Sequence, residues 1–184
     1  MTVSLLGLVG SLRRASVHGA LARAAIASAP DGVSLTLHSL DDLPFYDGDV
    51  ESAGLPASVA VLQEAVAVAD GLIHFSPEYN GSFPAVTKNA IDWLSRPPRL
   101  IEGTATTMIT ITPGPRAGLG VRTHFSDIMA RQPVRLFDET LGFGRYRDRL
   151  DDDGEITDPD TIAELVGFLG RFAAFAAAPP PAVD

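Results

Sequence analysis

Apolar runs and helix-like segments alternate along the whole chain. The runs at residues 2–10, 33–40, 71–76, 105–112 and 133–140 are short and largely β-branched or apolar, the pattern of strands covered on both faces. Between them, 17–29 and 56–69 are alanine-rich helical segments, 84–95 and 119–131 add two more, and Asp158-Pro159-Asp160 opens a last helix reaching Ala177. In that helix Ile162, Leu165, Val166, Leu169 and Phe172 recur at helical spacing, a stripe that faces a core. Strands and helices in strict alternation predict an α/β fold, a doubly wound five-stranded parallel sheet with strand order 2-1-3-4-5. Pro179-Pro180-Pro181 stops the last helix, so the expected organisation is one domain over residues 1–178 and a proline-rich tail over 179–184.

Composition narrows the classes of function. With 184 residues and 46% apolar side chains, the chain can build one core without a second domain. A net charge of -9 opposes a general attraction to phosphate backbones, so no nucleic-acid partner is expected. There is no cysteine, which removes disulfides, thiolate nucleophiles and Cys-ligated metals. The first apolar run has no basic flank and falls short of the ~20 residues of a membrane span. Cytoplasmic residence without membrane insertion is the expectation. Asp151, Asp152, Asp153, Glu155, Asp158 and Asp160 surround Gly154 without the alternation of a calcium loop, and are read as a solvated turn and a helix N-terminus.

Three loops follow strands on the sheet edge where open α/β folds place ligands. The first, Gly10-Ser11-Leu12-Arg13-Arg14-Ala15-Ser16-Val17-His18, enters a helix directly. Its backbone N–H groups, the Ser11 and Ser16 hydroxyls and a guanidinium can surround an anion. It lacks the glycine spacing of dinucleotide-binding and Walker loops. The second, Ser76-Pro77-Glu78-Tyr79-Asn80-Gly81-Ser82, leads to Pro84 and a helix, and can offer backbone groups to a flat heterocycle while Gly81 permits close approach. The third is Thr112-Pro113-Gly114-Pro115-Arg116-Ala117-Gly118. An anion at the first loop and a ring clasped by the other two would be the arrangement of a mononucleotide cofactor.

The first loop, together with Pro77-Glu78-Tyr79-Asn80-Gly81-Ser82 and Lys88-Asn89-Ala90-Ile91-Asp92-Trp93, resembles the NADPH-dependent FMN reductase family, which includes quinone, chromate and azo-dye reductases. The resemblance implies a flavodoxin-like fold, bound FMN, NADPH or NADH as hydride donor and a small-molecule electron acceptor such as a quinone. It also implies a homodimer or homotetramer formed through the 84–94 helix, in which Phe83 and Ile91 are read as apolar interface anchors and Trp93 as an interface or core anchor. By position, Ser11, Arg13 and Ser16 would hold the FMN phosphate, and Pro77, Glu78, Tyr79, Asn80 and Gly81 would border the isoalloxazine. His18 stands where the family usually has asparagine and is counted with the cofactor-binding residues, since an imidazole can donate to a phosphate oxygen. Thr112 and Gly114 are also counted as cofactor-binding, at the ring edge, although their fourth-strand loop departs from the family pattern in its proline and arginine; Arg116 there is a candidate for a nicotinamide 2′-phosphate. No side chain is assigned as general acid or base.

The remaining polar residues invite plainer readings. His74 is read as a satisfied core or edge histidine, and His38 and His124 lack partners at metal-ligand spacing. Lys88 is read as solvated or ion-paired, and Ser82 as a helix cap. The alternative function is a flavodoxin-like carrier or redox sensor that binds flavin without turnover.

Overall fold

The computed structural model describes residues 2–179. Its centre is a parallel sheet of β1 (Val3–Val9), β2 (Val33–His38), β3 (Gly71–Phe75), β4 (Ala105–Ile111), β5 (Arg135–Leu136) and β6 (Leu141–Phe143). The order is β2-β1-β3-β4-β5, and β6 also pairs with β4. This is the flavodoxin-like arrangement expected from the sequence. Every residue of β3 and β4 is buried, whereas β2 at the edge is largely exposed or half-buried, as central and edge strands of a doubly covered sheet require.

The helices are α1 (Val17–Ala27), α2 (Gly48–Ala53), α3 (Ala57–Ala67), α4 (Ala85–Leu94), α5 (Leu119–Met129) and α6 (Pro159–Ala177). Strand side chains alternate between faces, and the two cores follow that alternation. Leu5, Ile73 and Ile109 face Leu21 and Ala25 of α1 and Leu165, Phe168 and Phe172 of α6. Leu6, Leu72 and Met108 face Leu62 of α3, Ile91 and Leu94 of α4 and Phe125 of α5. Asp158 caps α6 by accepting from the Thr161 N–H at 3.0 Å, with Pro159 at the first helical position.

Two parts depart from the sequence reading. The expected strand over 133–140 is two short strands, β5 and β6, interrupted between them. There the Glu139 carbonyl accepts from the Thr107 hydroxyl at 2.8 Å and its carboxylate forks with Arg171, so polar side chains replace the backbone ladder. Helix α2 was not expected. It buries no residue and is started by Asp47, which accepts from the Asp49 N–H, so no apolar period announces it. The expected proline-rich tail lies outside the described residues from 180 onward.

Candidate functional site

A cavity of about 560 Å³ opens at the carboxyl ends of β1, β3 and β4, within the usual size of a small-molecule site. Ser11, Arg13, Ser16, His18, Pro77, Glu78, Tyr79 and Thr112 all line it, so the sequence-predicted loops converge. Gly10 makes the convergence possible. A Cβ there would stand 2.1 Å from the Thr87 hydroxyl of α4, so only glycine lets the first loop leave β1 at this point.

One end of the cavity gathers groups suited to an anion. Ser16 caps α1, its Oγ accepting from the Gly19 N–H at 3.3 Å, and the first turn of α1 carries no acidic residue. The positive end of the helix and its N–H groups therefore face the loop that carries Ser11, Arg13 and Arg14. Both arginines are exposed. This donor set fits a phosphate, and Pro77 and Tyr79 line the same cavity beyond it.

The other end is held by hydrogen bonds to α5. Glu78 Oε2 accepts from the Val121 N–H at 3.2 Å, which supplies the cap that Gly118 cannot provide. Ser82 Oγ lies 2.6 Å from His124 Nδ1, and His124 stacks on Phe83 with ring centroids 5.0 Å apart. Ser82 is therefore not a helix cap, as the sequence suggested; α4 starts at Pro84 with no side-chain cap bond. Between these anchors Tyr79 and Ser82 exchange backbone hydrogen bonds of 2.7 and 3.0 Å around Asn80 and Gly81, whose φ angles are 54° and 78°. Two successive positive φ angles are what an Asn-Gly tight turn supplies. Asn80 and Gly81 thus shape the loop, and neither lines the cavity; nor does Gly114.

The floor between the two ends is His18, only 3% exposed. Its Nε2 accepts from the Ile111 N–H at 3.3 Å, which ties α1 to the end of β4. Burial pushes its pKa down to about 4, opposed in part by a hydrogen bond to the Ser76 backbone; the ring is neutral at pH 7. Thr112 donates to the Gly114 carbonyl at 3.3 Å and Tyr146 N–H donates to the Thr112 carbonyl at 3.2 Å. Tyr146, and beyond it Asp153, Gly154 and Glu155, also line the cavity. Sequence reading treated the acidic run only as a solvated turn. Asp151 Oδ1 does organise such a turn, accepting from the Asp153 and Glu155 N–H groups, yet the turn also forms a rim. Nothing in the local sequence marks this, because the approach is made across the fold. Arg116 is exposed and outside the lining.

Two further readings change. His74 is buried, but neither ring nitrogen has a hydrogen-bond partner, so it is a core histidine without being a satisfied one; burial lowers its pKa to about 4. Phe83, Ile91 and Trp93 are all buried within the single chain. Trp93 Nε1 donates to the Pro44 carbonyl at 2.8 Å, and the Asn89 amide donates to the same oxygen at 2.9 Å while accepting from the Tyr46 N–H at 2.7 Å. The Asn89 and Trp93 side chains therefore fasten the segment after β2 to α4. Lys88 pairs with Asp92 one turn on. Among the described residues no cluster of metal-ligating side chains is found, and no helix is long and apolar enough to cross a membrane.

A family model described as NADPH-dependent FMN reductase matches residues 3–145. A quinone reductase of Escherichia coli is 36% identical over 174 residues, covering 91% of this chain and 92% of that protein. A 2-hydroxy-1,4-benzoquinone reductase of a Burkholderia species is 33% identical over 186 residues, covering 95% and 97%. Among solved structures, FerB, a flavoenzyme NAD(P)H:(acceptor) oxidoreductase from Paracoccus denitrificans, matches with a TM-score of 0.85 at 26% identity, covering 95% of this chain and 97% of its own.

Proposed function

The chain belongs to the NADPH-dependent FMN reductase family and is an NAD(P)H-dependent FMN oxidoreductase, and from that premise we propose that the cavity holds FMN and that a small quinone is the acceptor. The observation that carries this reading is the union, in one cavity, of a helix N-terminus rimmed by serines and arginines with a rigid loop at the end of β3. Ser11, Arg13, Ser16 and the α1 N–H groups hold the phosphate. Pro77, Glu78 and Tyr79 border the ring, and Thr112 supports its far edge. When bound, FMN supplies the redox chemistry, accepting hydride from a reduced nicotinamide and giving reducing equivalents to the acceptor.

The residues orient rather than react. Glu78 is committed to α5 and His18 to the end of β4, so neither is assigned as acid or base. Tyr79, 51% exposed, stands at the open side, where nicotinamide and acceptor would take turns. An open ring face selects acceptors weakly by shape; the quinone assignment draws on the names of the relatives. The test is colour: purified protein should bind FMN in equal proportion, and NADPH should bleach it. FMN bound but inert to both nicotinamides would favour a carrier instead.

Homodimer or homotetramer formation through the 84–94 helix belongs to the same proposal, with changed support. The apolar anchors first invoked are consumed inside the chain, but Phe45, 76% exposed, projects from the segment that Asn89 and Trp93 fasten to α4. A rigid exposed aromatic beside that helix suits an interface. Light scattering should give a multiple of the 19.4 kDa chain, and Phe45→Ser should reduce it. Cytoplasmic residence is the final part of the proposal, tested by cell fractionation.

A further inference from the structure

The cavity contains an arginine that lies in neither sequence motif. Arg23 is on α1, seven residues beyond the Ser16 cap, and it lines the cavity together with Ser11 and Arg13. Helical side chains lean toward the N-terminus of their helix, and one turn ahead of Arg23 stands Gly19. A Cβ built on Gly19 would lie 3.5 Å from Arg23 Nη1 and 3.6 Å from Ser16 Cβ. The guanidinium thus lies over Gly19, one turn from the Ser16 cap.

The other edge of the guanidinium is already occupied. Arg23 Nε donates to Glu155 Oε2 at 3.1 Å and Nη2 donates to Oε1 at 2.5 Å. Such a fork fixes the plane of the guanidinium, and here it leaves Nη1 turned to Gly19. Glu155 is itself held, its N–H donating to Asp151 Oδ1 at 2.9 Å in a turn closed by the Leu150 to Ile156 bridge. The two side chains are 54% and 44% exposed, so the pair adds little to stability. Its evident consequence is orientation: an acidic turn from the far end of the chain aims a cation along the helix that binds the anion.

We propose that Arg23 is a second phosphate-binding guanidinium of the FMN site, with Nη1 as donor. The inference rests on the reading of the cavity as that site. It assigns Arg13 and Arg23 to opposite sides of the phosphate, one from the loop before α1 and one from along the helix itself. It also explains why carboxylates at Asp153 and Glu155 are tolerated on the rim of an anion site, since Arg23 offsets the nearer one.

The experiment compares FMN and riboflavin affinity, by fluorescence titration, for the wild type, Arg23→Gln and the double variant Arg23→Gln/Glu155→Gln. The Arg23 and Glu155 side chains are each about half exposed and their pair adds little to stability, so folding is not at stake. Riboflavin lacks the phosphate and acts as the internal control. Arg23→Gln should reduce the preference for FMN over riboflavin by about tenfold or more, the scale of one lost hydrogen bond to a charged group plus an unmasked carboxylate. The double variant should recover only part of that loss. An unchanged preference in Arg23→Gln would overturn the proposal. Full recovery in the double variant would overturn it too, by showing that Arg23 only neutralises Glu155. A wild type that binds neither flavin, or binds both equally, would remove the FMN reading and Arg23's role with it, a result distinct from either of these.

Discussion

The two ends of the cavity are made of different materials. At the ring end, Pro77 is buried and Glu78 and Ser82 are committed to α5 through Val121 N–H and His124. At the other end Ser16 is buried, whereas Arg13 and Arg14 before α1 and Arg23 along it stand in solvent. Geometry at the ring end is thus part of the fold, whereas affinity at the anion end comes from charges the fold does not need. Substitutions at the first end should cost stability and leave phosphate discrimination alone. Those at the second should do the reverse.

The largest expected effect concerns two buried histidines, His18 between the two ends and His74 in the core. His18 and His74 both have pKa values pushed down to about 4 by burial, below the ordinary 6.5. The unfolded chain therefore takes up protons first as pH falls, and stability present above pH 6.5 is lost progressively toward pH 4, by on the order of 3 kcal/mol for each histidine. The lowered carboxylates, Asp41 through its hydrogen bond from Ser39, Glu139 through that from Arg171 and Asp158 through that from Thr161, add their losses only below their ordinary range, so the histidines dominate this window. Urea denaturation of His74→Leu should show a flatter decline between pH 7 and 5, and greater stability at pH 5, since an unpaired buried ring is replaced by an apolar one. Parallel curves for variant and wild type would show that His74 is not a source of the acid loss.

Next in size is Arg13→Ala, which should weaken FMN by about 1.5–3 kcal/mol and riboflavin hardly at all, with an unchanged urea midpoint. Equal weakening of both flavins in titration would move the phosphate to another arginine. Glu78→Ala should do the opposite. Loss of the only side-chain cap on α5 costs about 1 kcal/mol of stability, read by urea denaturation, while the ratio of FMN to riboflavin affinity stays constant. A changed ratio would mean that the ends are not independent. Smallest of all, Arg23→Gln should shift stability by less than about 0.5 kcal/mol; a larger loss in the same denaturation assay would make the Glu155 pair part of the fold.

What was readable in the sequence follows the same division. The first loop and the 76–82 loop could be located because each sits beside a strand and a helix whose periodicity is local, and the order of the sheet followed from their alternation. The ring-end anchors were not readable. Glu78 and Val121, or Ser82 and His124, meet only once α5 is laid beside the loop, and Ser82 therefore passed for a cap. The Asp151–Glu155 turn shows the same failure from the other side, its composition announcing a solvated turn while its packing against Arg23 made it a wall of the cavity. The broken fifth strand was hidden because Glu139 uses its carbonyl and carboxylate for side-chain partners, an arrangement that local strand propensity cannot report. The sequence leaves Trp93 open between interface and core and places Phe83 and Ile91 at an interface, because the segment at 43–46, which Trp93 and Asn89 hold, has no periodic signature of its own.

The central claim is that this cavity presents bound FMN to a reduced nicotinamide and then to a quinone. Anaerobic stopped-flow mixing of the FMN-loaded protein with NADPH or NADH, followed by a second mix with a benzoquinone, tests it most directly. The account predicts loss of the oxidised flavin absorbance with at least one nicotinamide and its full return on addition of the quinone, with the flavin staying on the protein throughout. A stoichiometric FMN complex whose absorbance neither nicotinamide changes would contradict it.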